Sequence, residues 1–157
     1  MDHLINQLVY ARESTIEYVK HIDPESLYVI PSGFNNHVQW NLGHIYVAFE
    51  KIVFLLTGNK ANFPDHFAEW FSPDTSPKNW DKEAPSGDEL IGLLEDQLER
   101  LHSLSSEKVD QPILETYTTS TGFSISTIGE CLSFIIHHEG MHLGMIKSIC
   151  QSVNKNE

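Results

Sequence analysis

The sequence predicts an all-α fold, a four-helix bundle. Four segments carry apolar residues at helical spacing, and capping or stopping residues mark their ends. One long irregular stretch, residues 59–85, has a length that suits a crossover between the second and third helices. At 157 residues the chain fits one domain, 1–157. A chain of this size buries about 68–70% of the surface its unfolded form exposes, so a core forms without staples.

The first helix is expected over residues 2–21. Leu4, Ile5, Leu8, Val9, Ala11, Thr15, Ile16 and Val19 recur on one face, and Asp2 is the candidate N-cap. Asp23-Pro24 ends it, because proline cannot continue the hydrogen-bond ladder. The second helix is expected over residues 36–57, with Asn36 as cap, Gln39 in capping-box position and Gly58-Asn59 as the stop. Residues 59–85 hold four prolines and the aromatics Phe63, Phe67, Trp70, Phe71 and Trp80, so the stretch reads as a loop packed onto the body. A crossover of that length makes helices two and three parallel. The third helix is expected over residues 86–104, opened by the Ser86/Glu89 capping box. Residues 112–126 read as extended loop or a short hairpin. The fourth helix is expected over residues 127–153, with Thr127 and Glu130 at capping-box spacing.

Charge narrows the function classes. A formal net charge of −12, with no basic cluster, opposes binding to nucleic acid or to anionic membranes. No apolar run approaches the roughly 18 residues of a membrane span. The first residues lack a basic and then apolar leader, so a cytoplasmic location is expected. There the two cysteines, Cys131 and Cys150, stay reduced.

The unusual count is nine histidines. His138 and His142 are four apart on a helix, so they share a face and can bind one metal ion through two imidazoles. They lie on the apolar stripe of Leu132, Ile135, Met145, Ile146 and Ile149, where unpaired polar groups are costly. His44, in an equally apolar part of the second helix, is the candidate third ligand, and Gly43 beside it permits close approach of another element. His137 has Met141 at its i+4 position and reads as outside the ligand set. His138-Glu139-Gly140-Met141-His142 also spells the zinc-protease motif H-E-x-x-H. Only 15 residues follow His142, none of them histidine, and no strand-rich cleft precedes it, so a protease is disfavoured. Glu139 and Asn41 are the weak catalytic candidates. Asn41 and His37, one and two turns before His44, are candidates to orient a ligand or touch substrate. Cys131, two turns before His138, reads as a buried core residue, with lining the pocket or ligating the metal as the alternatives. Trp70 and Phe71 are candidates to cover the site.

Trp40-x-x-x-His44 in helix two and His138-x-x-x-His142-x-Gly144 in helix four, with the long connection between helices two and three, make the chain resemble the DinB-like superfamily, which includes YfiT-like metal-dependent hydrolases. The resemblance covers nearly the whole chain. It implies an up-down-down-up bundle, a zinc or nickel ion on His44, His138 and His142, and a homodimer. Some members transfer small thiols such as bacillithiol or mycothiol, and related ones isomerise maleylpyruvate. Where many members have Gln after the final Gly, this chain has Met145, which removes a polar group near the site. The implied function is conjugation of a low-molecular-weight thiol to a small electrophile. The alternatives are hydrolysis of a small substrate and a non-catalytic, metal-binding stress protein. Three neutral imidazoles leave a coordination position open, which is the pattern of catalytic sites.

Overall fold

The structure, a computed structural model, describes residues 2–102 and 109–154. Helix α1 (Asp2–Lys20) ends where Asp23 accepts the Ser26 N–H at 3.1 Å and opens a 3-10 turn, Pro24–Tyr28. Helix α2 (Val38–Phe49) runs directly into a π-helical turn, Glu50–Leu55. A short helix α3 (Phe67–Phe71) and a 3-10 turn, Pro77–Asn79, follow, then helix α4 (Gly87–His102). Strands β1 (Pro112–Thr118) and β2 (Ser124–Thr127) precede the long helix α5 (Ile128–Asn154). The protein is therefore mostly helical with one two-stranded sheet; the all-α expectation broadly fits, and the sheet is a short hairpin in the segment expected to be extended loop or hairpin. Asp2's side chain, its expected capping role and the expected end of the third helix at Leu104 lie outside the described residues.

Two of the three expected capping boxes close. Ser86 Oγ accepts the Glu89 N–H at 3.3 Å while Glu89 takes the Ser86 N–H at 2.7 Å. Thr127 and Glu130 do the same at 3.3 and 3.1 Å. At α2 the expected cap is displaced by one residue. His37 Nδ1, not Asn36, accepts the Trp40 N–H at 3.1 Å. Gln39 does not close a box; it donates to the Pro85 carbonyl at 2.7 Å and ties the start of α2 to the residues just before α4. An imidazole nitrogen that accepts serves the same orphan N–H as an Asn oxygen.

The segment 59–85 is not structureless. Phe67, Trp70 and Phe71 of α3 are buried in one core cluster with Trp40, Leu42, Ile45, Leu90, Ile146 and Ile149. A second cluster gathers Leu8, Phe49, Ile52, Leu101, Leu132 and Ile135, and Ile113 and Ile125 of the hairpin seal it. β1 and β2 pair antiparallel, with Tyr117 opposite Ile125 and Thr118 opposite Ser124. Helix α1 packs on α4 and α5, and α2 also packs on α4 and α5. Among the described residues no helix is long and apolar enough to cross a membrane.

A buried polar chain crosses this core. Arg12 of α1 donates to both Glu139 oxygens, at 2.9 and 3.1 Å, and to Gln97 Oε1 at 2.7 Å. Gln97 Nε2 donates to Glu50 Oε1 at 2.9 Å, and Arg100 also grips the Glu50 carboxylate. Arg12, Gln97 and Glu50 are fully buried, so α1, α2, α4 and α5 are joined by charge-assisted bonds as well as by apolar contact.

Candidate metal centre

His138 and His142 lie one turn apart on α5, and His44 faces them from α2. The three offer ring nitrogens that all lie within 4.8 Å of one another, and each residue is buried. His44 Nε2 and His138 Nε2 are 3.2 Å apart. Trp40, one turn before His44, stacks flat on its ring, with centroids 4.8 Å apart and an 8° interplanar angle.

Two of the rings are held from behind. His44 Nδ1 lies 2.7 Å from the Phe71 carbonyl oxygen. His142 Nδ1 lies 2.8 Å from Asn41 Oδ1. Asn41 is oriented in turn because its Nδ2 donates to the His37 carbonyl at 2.9 Å. Both oxygens can only accept, so each Nδ1 carries the proton and each Nε2 is left with its lone pair. Burial lowers the His44 pKa, and the Phe71 contact opposes that only in part. Burial, then the neighbouring His44, His137 and Arg12, pushes His138 down to about 3. Burial, then His138 and His44, pushes His142 down to about 3. All three are therefore neutral at neutral pH, which is the ligating form.

The donor set fits a divalent ion. Two imidazole nitrogens on one tetrahedral zinc ion, with bonds of about 2.0–2.1 Å, stand roughly 3.3–3.4 Å apart. The 3.2 Å between His44 and His138 is close to that separation. Among the described residues, no Cys, Asp or Glu joins the group.

Of the other candidates, Asn41 orients His142, not the His44 of its own helix. His37 is a buried helix cap. Glu139 is not beside the histidines as a free acid or base; its carboxylate is engaged by Arg12. Cys131 is fully buried in the second core cluster, and burial pushes its thiol up to about 11. His137 is exposed and lines a different cavity with Phe123 and Phe134. Met145 is 45% exposed and lines a cavity of about 310 Å³ together with His142, Asn41 and Trp40. Phe71 contributes a backbone oxygen, while its ring packs on Gly43 and on the rings of Phe67, Trp70 and Trp80. No side-chain pattern announces a backbone acceptor, so only the fold reveals it. The Trp40 stack is different: its i,i+4 spacing to His44 was readable.

Gly43 is where α3 meets α2. A Cβ built there would overlap the Phe71 ring. Gly43→Ala is expected to cost about 1–3 kcal/mol by overpacking. It should also weaken metal binding, because Phe71 carries the carbonyl that holds His44. Urea unfolding and a metal titration on the same sample check both effects.

His37 gives a pH-dependent contribution to stability. Burial pushes it down to about 4 from the ordinary 6.5, so between those values the unfolded chain binds the proton and the folded chain does not. Stability from this residue is complete above about pH 6.5 and is lost as pH falls toward about 4. Protonation would also remove the Nδ1 lone pair that caps α2. Asn caps helices well and does not titrate, so His37→Asn should flatten the fall of the urea midpoint between pH 7 and pH 4.5. An unchanged slope would refute this.

Three buried, neutral imidazoles, two of them with their far nitrogens tethered, are positioned to bind one metal ion, and the fold around them is mostly helical. A family model described as the DinB superfamily matches residues 7–146, and the chain belongs to that family. A crystal structure of a conserved protein from Enterococcus faecalis is similar in fold, with a TM-score of 0.65 at 15% sequence identity over 98% of this chain and 96% of that one. No curated protein matches the sequence.

Proposed function

We propose that this DinB-family protein is a metal-dependent transferase that joins a low-molecular-weight thiol to a small electrophile. The ion is zinc or nickel, on His44, His138 and His142. One observation carries the reading: the three-imidazole cluster borders an open cavity of about 310 Å³ through His142. Structural sites are usually closed by four protein ligands, whereas three leave a position for a reactant. When bound, the ion would favour the thiolate form of a thiol, the nucleophilic one. The remaining work falls to the chain. Phe71 O and Asn41 Oδ1 hold two rings in place, Trp40 shields His44, and Met145 and Ile149 give the cavity an apolar wall for an organic electrophile. The sulfur forms a bond to the electrophilic carbon. The leaving group departs with the electron pair of the broken bond, and the thiol proton passes to solvent.

The four long helices are read as an up-down-down-up bundle in one domain, and the closed ring of packing of α1, α5, α2 and α4 supports this. The reading also places the protein in the cytoplasm, as a homodimer, with no nucleic-acid or membrane partner. Exposed Met141 on α5 is a candidate part of the dimer surface. Light scattering at twice the monomer mass would support the dimer.

Metal-loaded protein is expected to consume a small thiol with chlorodinitrobenzene or an epoxide faster than His138→Ala does. Equal rates across several thiols and electrophiles would overturn the transferase.

A further inference from the structure

A second cavity, of about 720 Å³, opens where the start of α2 meets the residues leading into α4, and none of the three clustered histidines lines it. That volume suits a small molecule. Tyr28, Trp70 and Trp80 give it aromatic walls, and His37, only 5% exposed, lines it too. His37 Nδ1 accepts the Trp40 N–H, a group that can only donate, so the neutral ring carries its proton on Nε2. That Nε2–H has no hydrogen-bond partner among the described residues. The one unpartnered side-chain polar atom sealed from solvent among them is Asn36 Oδ1, so Nε2 keeps accessible surface, and in so buried a residue that access is through the cavity it lines. Tyr28 and Trp80 stand edge-on to the imidazole, with centroids 6.4 and 5.5 Å away, and such ring contacts are second-order beside a bond to oxygen. Gln39, in the same lining and also 5% exposed, has the complementary group: its Nε2 donates to the Pro85 carbonyl, while its Oε1 has no partner and is likewise not sealed.

We infer that this cavity binds an uncharged aromatic amide: the ligand's carbonyl oxygen accepts from His37 Nε2–H, its N–H donates to Gln39 Oε1, and its ring lies among Tyr28, Trp70 and Trp80. The site depends neither on the metal centre nor on the thiol reading. The free donor and acceptor choose the class. Nε2–H needs an acceptor and Oε1 a donor, and a primary amide carries both on one planar edge. An aromatic body matches walls made of aromatic rings. A carboxylate would satisfy His37 but offer nothing to Gln39. It would also meet Glu83 and Glu89 with only Lys82 to compensate, in a chain whose net charge is −12. An ammonium would satisfy Gln39 and oppose the donor end of His37.

Titration of the isotope-labelled full chain with benzamide, followed by nuclear magnetic resonance at the tryptophan indole N–H signals, tests this. The Trp80 signal, assigned by its loss in Trp80→Phe, should move saturably. Benzamide should bind more tightly than benzoate and than benzylamine. Methyl benzoate accepts but cannot donate to Gln39, and should bind about fivefold more weakly than benzamide, the usual net worth of one hydrogen bond between neutral groups. His37→Asn keeps a cap for α2 but is too short to present a donor at the Nε2 position, and should weaken benzamide by a similar factor. His138→Ala should bind benzamide as the parent does. No saturable shift overturns the site, and so does loss of binding in His138→Ala, which would make the cavity an annex of the metal centre. Equal affinity for benzoate or benzylamine overturns the amide class. Unchanged benzamide affinity in a His37→Asn chain with the parent's unfolding midpoint at neutral pH overturns the role of His37.

Discussion

Arg12→Leu is expected to destabilise the protein by about 3–5 kcal/mol, the cost of leaving a buried charge without its partner. The guanidinium is fully buried and Glu139 is 1% exposed, so no water can replace it. Arg12 donates to both carboxylate oxygens of Glu139, to Gln97 and to the Leu94 carbonyl, and it lies 4.6 Å over the Phe49 ring. Its loss leaves a naked carboxylate between α1 and α5 and frees Gln97 from one of its partners. The double variant Arg12→Leu, Glu139→Leu should recover most of the loss, because the attraction within a buried pair is largely offset by the desolvation of its members. Urea unfolding of the metal-free protein measures both. If the double variant were no more stable than the single one, the packing of Arg12 and not its charge would be decisive. Glu139→Gln, which weakens the same buried pair, should likewise lose stability, and its rate in the proposed thiol conjugation tells whether Glu139 has a second role: an unchanged rate leaves it a structural partner alone, and a lost rate makes it a general acid or base as well.

Removal of a histidine ligand should abolish metal binding. The parent, purified without a tag, is expected to carry about one equivalent of zinc or nickel per chain, and His44→Ala and His138→Ala to carry none, since three protein ligands are the usual minimum for such a site. Asn41→Ala keeps all three ligands but releases the His142 ring, and should weaken affinity about 10–100-fold in a chelator competition. Binding also stabilises: free metal at 100 times its Kd adds about 2.7 kcal/mol to the parent, and His138→Ala should show no such gain. A parent that takes up neither ion would leave the cluster as buried packing and remove the basis of the proposed chemistry.

The helices and two of the three expected capping boxes were legible because their signals are local. Apolar periodicity and Ser-x-x-Glu or Thr-x-x-Glu spacing act within a few residues, and α4 and α5 begin where those signals put them. The pair His138 and His142 was legible for the same reason, since helical geometry alone puts i and i+4 on one face. His44 needed a further step, an apolar setting that makes an unpartnered imidazole expensive. The π-helical turn at Glu50–Leu55 left no mark on the periodicity.

Tertiary packing decided the rest. Asn41 is a turn away from His44, yet it holds His142, because the approach of α5 to α2 puts that ring and not its neighbour against the amide. Glu139 shares a motif with two ligands, but one step along a helix turns a side chain by about 100°, and here that step meets Arg12 of α1. The Phe71 carbonyl has no side-chain identity at all; it reaches His44 because Gly43 lets α3 settle onto α2. Spacing along the chain settles which residues can share a helix face. Which partner arrives from another element depends on interhelical packing, and that is set by the whole core at once.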